Sequence, residues 1–221
     1  MSSYTESRPE AWNRRASLTG SVDFTMMYIA HDAFNRDLER LIAATHAGKV
    51  LTPEGITTWK SFAKQLHIHH TAEDAALWPR LHAAVDDPAE EELLKEMEAE
   101  HGSLDPRVDQ IDAAVEARNE TAFADELKTL SKGLAAHMIH EEGAALPLLE
   151  RRLGQAGWDA FAKEIRAQQG GIKGAAEYLP WVLDGADKAT TTKVLHMLPA
   201  PARMLCRRIW EPKYRTSDRL H

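Results

Sequence analysis

Apolar residues recur at steps of three and four along four successive stretches of this chain, the signature of amphipathic helices. The first stripe is Val22, Met26 or Met27, Ala30, Phe34, Leu38, Leu41 and Ile42. It predicts a helix that starts at Leu18 and is closed by Gly48, a residue suited to the left-handed C-terminal cap. The second stripe is Trp59, Phe62, Leu66 and Leu77, with Thr52 as N-cap and Pro53 in the first turn. Asp87-Pro88 marks a turn and a new start, followed by Leu93 or Leu94, Met97, Leu104, Val108, Ile111 and Val115. After the polar link Asn119-Glu120-Thr121 the fourth stripe runs Phe123, Leu127, Leu130, Leu134, Ala145 and Leu148, and Gly154 with Gly157 ends it. Alternating Val/Ile/Thr runs, which would indicate strands, are lacking. Short links between long helices favour antiparallel neighbours. The expected fold is therefore all-α: an up-down-up-down antiparallel four-helix bundle with additional C-terminal helices.

The ends of the chain read differently. Residues 1–16 show no apolar periodicity and suggest a flexible N-terminal arm. Residues 17–154 form the expected bundle. In 155–221, Trp158 to Gln168, Ile172 to Leu183, Lys188 to Leu198 and Ala202 to Trp210 are helical candidates, broken at Gly170-Gly171 and Pro199-Ala200-Pro201, with Pro180 expected to bend or end the second. Trp158, Phe161, Tyr178, Trp181 and Trp210 suggest that this extension packs on the bundle. It would either cover one end of the bundle or shape a substrate pocket or dimer surface.

The polar residues that interrupt the four stripes change the picture. They are His31, His69 with Glu73, His101, and His137 with Glu141. Both pairs read His, three residues, Glu, five residues, Pro, ending at Pro79 and Pro147. Positions four apart share a helix face, so each pair aims an imidazole and a carboxylate the same way. Each residue lies near the middle of its helix, and in an antiparallel bundle the middles coincide. Four imidazoles and two carboxylates in an apolar interior require compensation, which metal cations supply. The layout is also repeated: two hairpins each give one His and then a His-x3-Glu, which implies a near-twofold site for two metals with both glutamates as bridges.

These residues and spacings, over roughly residues 18–153, resemble the hemerythrin-like family, also called the HHE cation-binding domain. The resemblance implies a non-haem centre of two Fe ions, oxo- or hydroxo-bridged, in the bundle core. His31, His69, Glu73, His101, His137 and Glu141 would be its ligands. Oxygen-carrying hemerythrins have a fifth histidine, in a His-x3-His on the third helix. Here the residue four past His101 is Asp105, followed by Pro106. Two octahedral irons offer twelve positions. Two bridging carboxylates, four histidines and an oxygen bridge leave two open, or one if Asp105 binds. Asp105 is accordingly a candidate ligand, balanced against an ordinary surface aspartate. His70 lies about 100° round the helix from His69 and is expected to face a neighbouring helix or solvent. His67 and His140 are expected outside the ligand set, and each ligand ring requires a partner on its other nitrogen.

Composition narrows the function. A net charge of -7 over 221 residues argues against a general nucleic-acid binder. No apolar run approaches the roughly 18 residues that cross a bilayer, and the N-terminus lacks the apolar core of a secretory signal. With one cysteine, Cys206, a thiolate-ligated cluster is excluded and a cytoplasmic setting is expected. Six converging ligands are too many for one zinc. A ferritin-like site needs two Glu-x-x-His motifs, and only Glu98 with His101 fits. The expected partner is a small oxidant: dioxygen, hydrogen peroxide or nitric oxide. Reaction with it in oxidative or nitrosative stress, oxidation of an organic substrate, and non-catalytic oxygen or iron carriage or sensing all fit the site.

Overall fold

The computed structural model describes residues 8–18 and 20–220, and helices account for most of them, with no strand among the described residues. A short helix α1 (Arg8–Arg15) precedes the long helices α2 (Thr25–His46) and α3 (Pro53–Ala76). After one turn, α4 (Trp78–His82), come α5 (Pro88–Glu116) and α6 (Glu120–His140). A five-residue π turn, Glu141–Ala145, carries α6 into α7 (Leu146–Arg152) without a break. The extension consists of α8 (Gly154–Gln168), α9 (Gly171–Leu183), α10 (Lys188–Met197), α11 (Ala200–Leu205), a second π turn at Cys206–Trp210, and α12 (Glu211–Arg215).

Local chemistry sets these boundaries. The Thr52 hydroxyl accepts from the Gly55 amide, Asp87 from Ala89 and Asn119 from Ala122, which caps the starts of α3, α5 and α6. Gly48 follows α2 at φ 63°, as the sequence predicts. Gly170 and Gly171, at φ 78° and 71°, turn the chain between α8 and α9. Two helix ends differ from expectation. The first long helix begins at Thr25 rather than Leu18, because the amide of Val22 is held by the Glu150 carboxylate at 2.9 Å instead of by a helical carbonyl. In α9 the helix passes through Pro180 to Leu183, its last turn buried at Trp181 and Val182.

The helices α2, α3, α5 and α6 pack as neighbours around one core. That core divides into two apolar clusters. One gathers Phe34, Leu41, Trp59, Phe62, Ile111 and Phe123; the other gathers Met27, Trp78, Met97, Leu146 and Leu149. Successive long helices cross the two clusters in alternating order, and His69, His101 and His137 fall where their helices pass from one to the other. The histidine layer thus sits in a gap between two dry regions.

The extension packs on the bundle. Helix α8 lies on α3 and α9 on α2. Trp181 is fully buried, meets the Phe34 ring at 5.3 Å in a tilted arrangement, and donates its indole N–H to Asp37 at 2.7 Å. Residues 1–7 of the expected N-terminal arm lie outside the described residues. The rest of that arm corrects the reading: Arg8–Arg15 is helical and anchored by Arg15, which is buried. Ala11 is buried and Trp12 packs on the core, but two apolar residues in eight make no stripe that a sequence pattern would reveal.

Candidate metal centre

Five imidazoles and two carboxylates meet in the gap. On one side are His31, His69 and Glu141; on the other are His70, His101 and His137. Within each group the potential ligand atoms lie within 4.8 Å of one another, and all six residues are buried. Glu73 joins the groups. Its Oε1 is 3.1 Å from His69 Nε2 and its Oε2 is 3.4 Å from His101 Nε2. Glu141 Oε2 lies 3.2 Å from His31 Nε2, and the Nε2 atoms of His101 and His137 are 3.2 Å apart.

These atoms are close without being satisfied. The Nε2 atoms of His31, His69 and His70, and all four carboxylate oxygens of Glu73 and Glu141, are buried with no aligned hydrogen-bond partner. So many orphaned buried polar atoms in one layer would be costly in a structure held by protein contacts alone. A donor set of imidazole and carboxylate, converging and unpaired, fits divalent or trivalent cations.

Four of the five outer nitrogens are satisfied, and they explain why those rings point their inner nitrogens inwards. Nδ1 of His31 meets Glu142 at 2.7 Å, His70 meets Asp105 at 2.9 Å, His101 meets Asp74 at 2.9 Å, and His137 meets Glu100 at 2.7 Å. Each carboxylate fixes the ring and favours the tautomer with its proton on Nδ1, leaving the Nε2 lone pair free. Around His69 the ring is held by packing, with Phe34 at 5.4 Å and Phe161 at 6.2 Å.

Burial opposes protonation of His31, but Glu141 and Glu142 outweigh it and raise its pKa to about 9. His101 rises to about 10 because Asp74 and Glu73 likewise overcome burial. His70 goes the other way, to about 4: burial, reinforced by His101, outweighs Asp105. Burial also works against ionised Glu73, and His69 and His101 overcome it, keeping its carboxyl well below the ordinary range. Cations at these nitrogens therefore compete with protons.

Behind His31 lies a buried ion cluster. Arg15 grips Glu142 with two nitrogens, at 2.9 and 2.7 Å, and reaches Asp32 with a third at 2.8 Å. Arg14 adds a bond to Glu142 at 2.7 Å. The Arg15 guanidinium lies 4.8 Å over the Tyr28 ring. Helix α1 thus closes this side of the layer. The π turn at Glu141–Ala145 permits the arrangement: its wider turn buries both Glu141 and Glu142, one beside the rings and one behind His31.

His31, His69, Glu73, His101, His137 and Glu141 are all brought into the layer. Asp105 is not. Its side chain is 54% exposed and acts on His70 from outside. The residue that completes the second group is His70, whose ring stacks on His101 at 4.0 Å and 13°. An ideal helix turns only one of His69 and His70 to a given face, so the pattern alone favours His69. Two groups side by side present more than one face, so adjacent positions on α3 can each meet one. His67 is exposed, and His140 shares Glu100 with His137. Of the outer carboxylates, the sequence singles out Asp105, as a candidate ligand; the other three are not singled out, though each adjoins a layer residue: Asp74 follows Glu73, Glu100 precedes His101 and Glu142 follows Glu141.

The model of the hemerythrin HHE cation-binding domain matches residues 22–149, more than half of the chain. This chain belongs to that family. The matched region contains every histidine and carboxylate of the layer, so the cation-binding domain and the converging side chains coincide. The match ends before α8, and the extension lies beyond it. No curated protein and no solved structure matches the chain. Among the described residues no helix is long and apolar enough to cross a membrane.

Proposed function

We propose that this chain is a non-haem di-iron protein that binds a small oxidant (dioxygen, hydrogen peroxide or nitric oxide) and reacts with it. The observation that carries the reading is the convergence of five imidazoles and two carboxylates, one of which faces both groups, with seven of their inward atoms unpaired. His31 and His69 would hold one iron, His70, His101 and His137 the other, with Glu73 and Glu141 shared. Two irons so held supply a centre that takes up an oxidant and exchanges electrons with it. The fifth ring lowers the open positions from two to one by the octahedral count. A single zinc, with its four ligands, would leave several of these side chains without a role.

The chain's own groups prepare the site. Glu142, Asp105, Asp74 and Glu100 keep four rings aimed inward. Phe34, Phe161 and Trp78 pack against the rings.

Two tests follow. Mixing the reduced, iron-loaded protein with dioxygen, peroxide and nitric oxide in turn should give a reaction with at least one, followed by absorbance; inertness to all three would refute the reading. Repeated turnover marks an enzyme, and a reversible adduct a carrier or sensor. At residue level, dialysis of His70→Ala against a chelator should remove one ion of the pair, while Asp105→Ala keeps both ions but holds them about 10- to 100-fold more weakly. The reverse order would make Asp105 the ligand.

A further inference from the structure

The molecule holds a cavity of about 530 Å³ between the bundle and the extension. This is within the range of small-molecule sites, about 300–1,000 Å³. Its walls are mostly apolar, with Met27 and Ala30 from α2, Trp158 and Phe161 from α8, Leu179 from α9 and Trp210 beyond α11. One end is lined by His69, a member of the metal layer. The family match does not reach the helices that supply most of the walls.

Two polar groups in this wall lack partners. Gln169 is 9% exposed; its Nε2 donates to Gln65 at 2.6 Å, and its Oε1 is buried with no hydrogen bond. Gln65 lies one helical turn before His69 on α3, so the free amide group stands close to the metal end. Tyr178 also lines the cavity, and its hydroxyl makes no hydrogen bond among the described residues. Burial alone pushes that phenol well above its ordinary range, so it remains an O–H donor. The buried amide oxygen, left unmet, carries a desolvation cost that a ligand would relieve, and the half-buried phenol offers that ligand a donor.

We infer that this cavity is a binding site for an apolar organic molecule carrying a hydroxyl group, oriented with the hydroxyl toward Gln169 and with Tyr178 as a further polar partner in the wall. A hydroxyl suits the pair because it donates to the Gln169 oxygen and accepts from the Tyr178 hydroxyl. A carboxylate cannot donate to the amide oxygen, and a hydrocarbon meets neither group. Arg166, the cation in the lining, is exposed rather than at the buried end. Binding is claimed on the cavity itself; that the molecule is a substrate of the metal layer rests on the function proposed above.

The test is calorimetric titration of the metal-loaded protein with 2-naphthol, naphthalene and 2-naphthoate, which share a ring system and differ in the polar group. The expected order is 2-naphthol tightest, with naphthalene at least tenfold weaker and 2-naphthoate weaker than 2-naphthol. Gln169→Leu should bring 2-naphthol and naphthalene together, and Ala175→Trp, which fills the cavity, should weaken both. Helicity and metal content, measured on each variant, establish that it is folded. Equal binding of the alcohol and the hydrocarbon by the wild type, tightest binding of the carboxylate, or no effect of either variant would overturn the inference. These readouts do not require oxidant turnover, so failure of the oxidant panel would leave them standing, and the converse holds.

Discussion

Glu73→Ala is expected to empty both halves of the metal layer and to abolish the stabilisation that metal confers. Glu73 is the residue that faces both groups, one oxygen toward His69 and the other toward His101. Without it each group keeps its rings but loses the shared anion that balances the cations. Metal that binds only the folded state stabilises it by about 4 kcal/mol when free metal stands a thousandfold above Kd. The variant forgoes that contribution. Its metal-free form should be no more stable than the metal-free wild type, because alanine also takes from His69 and His101 the carboxylate that faces them. Thermal unfolding with and without chelator separates the two: the wild type should fall on chelation, and Glu73→Ala should be indifferent to it. Metal retained at full stoichiometry in Glu73→Ala would show that Glu73 is no ligand.

Arg15→Ala is expected to cost about 3 kcal/mol at neutral pH, the lower part of the range for breaking a buried ion pair. The change strips two bonds from Glu142 and one from Asp32, and leaves Arg14 as the cation still bound to Glu142. Burial alone would raise the Glu142 carboxyl; His31 and Arg15 overcome it and hold it far below the ordinary range. A carboxyl depressed in the folded state contributes stability that is complete above its unfolded pKa of about 4.3 and is lost as pH falls through the lower folded value. The penalty of Arg15→Ala should therefore be full at pH 7 and shrink only in acid below that point. Denaturant midpoints across pH measure it. A penalty unchanged in a Glu142→Gln background would show that the pair is not its source. Because Glu142 also holds His31, the substitution should loosen metal on that side by about 10-fold or more.

Much of this architecture was legible in the chain because it rests on local chemistry and on period. The stripes placed α2, α3, α5 and α6; Thr52, Pro53, Asp87 and Gly48 marked ends that the structure keeps. The six residues interrupting the stripes were found because a buried imidazole or carboxylate conflicts with its apolar neighbours. What was hidden depends on distance in sequence or departure from an ideal helix. Helix α1 is tied by Arg15 to Glu142, 127 positions away, which no periodicity reveals. The π turn after His140 breaks the 3.6-residue register, so an ideal helix gives no reason to bury Glu142 beside Glu141. His70 was displaced by the assumption that one helix shows one face to the site. The stretch Leu18 to Phe24 looked helical from its pattern, but the Glu150 carboxylate takes the Val22 amide first.

Metal analysis of protein purified in air, with iron and zinc quantified against chain concentration, decides whether the layer holds a pair of irons. About two irons per chain are expected. Stoichiometric zinc with no iron, or a single iron that added ferrous salt cannot raise to two, would contradict that expectation.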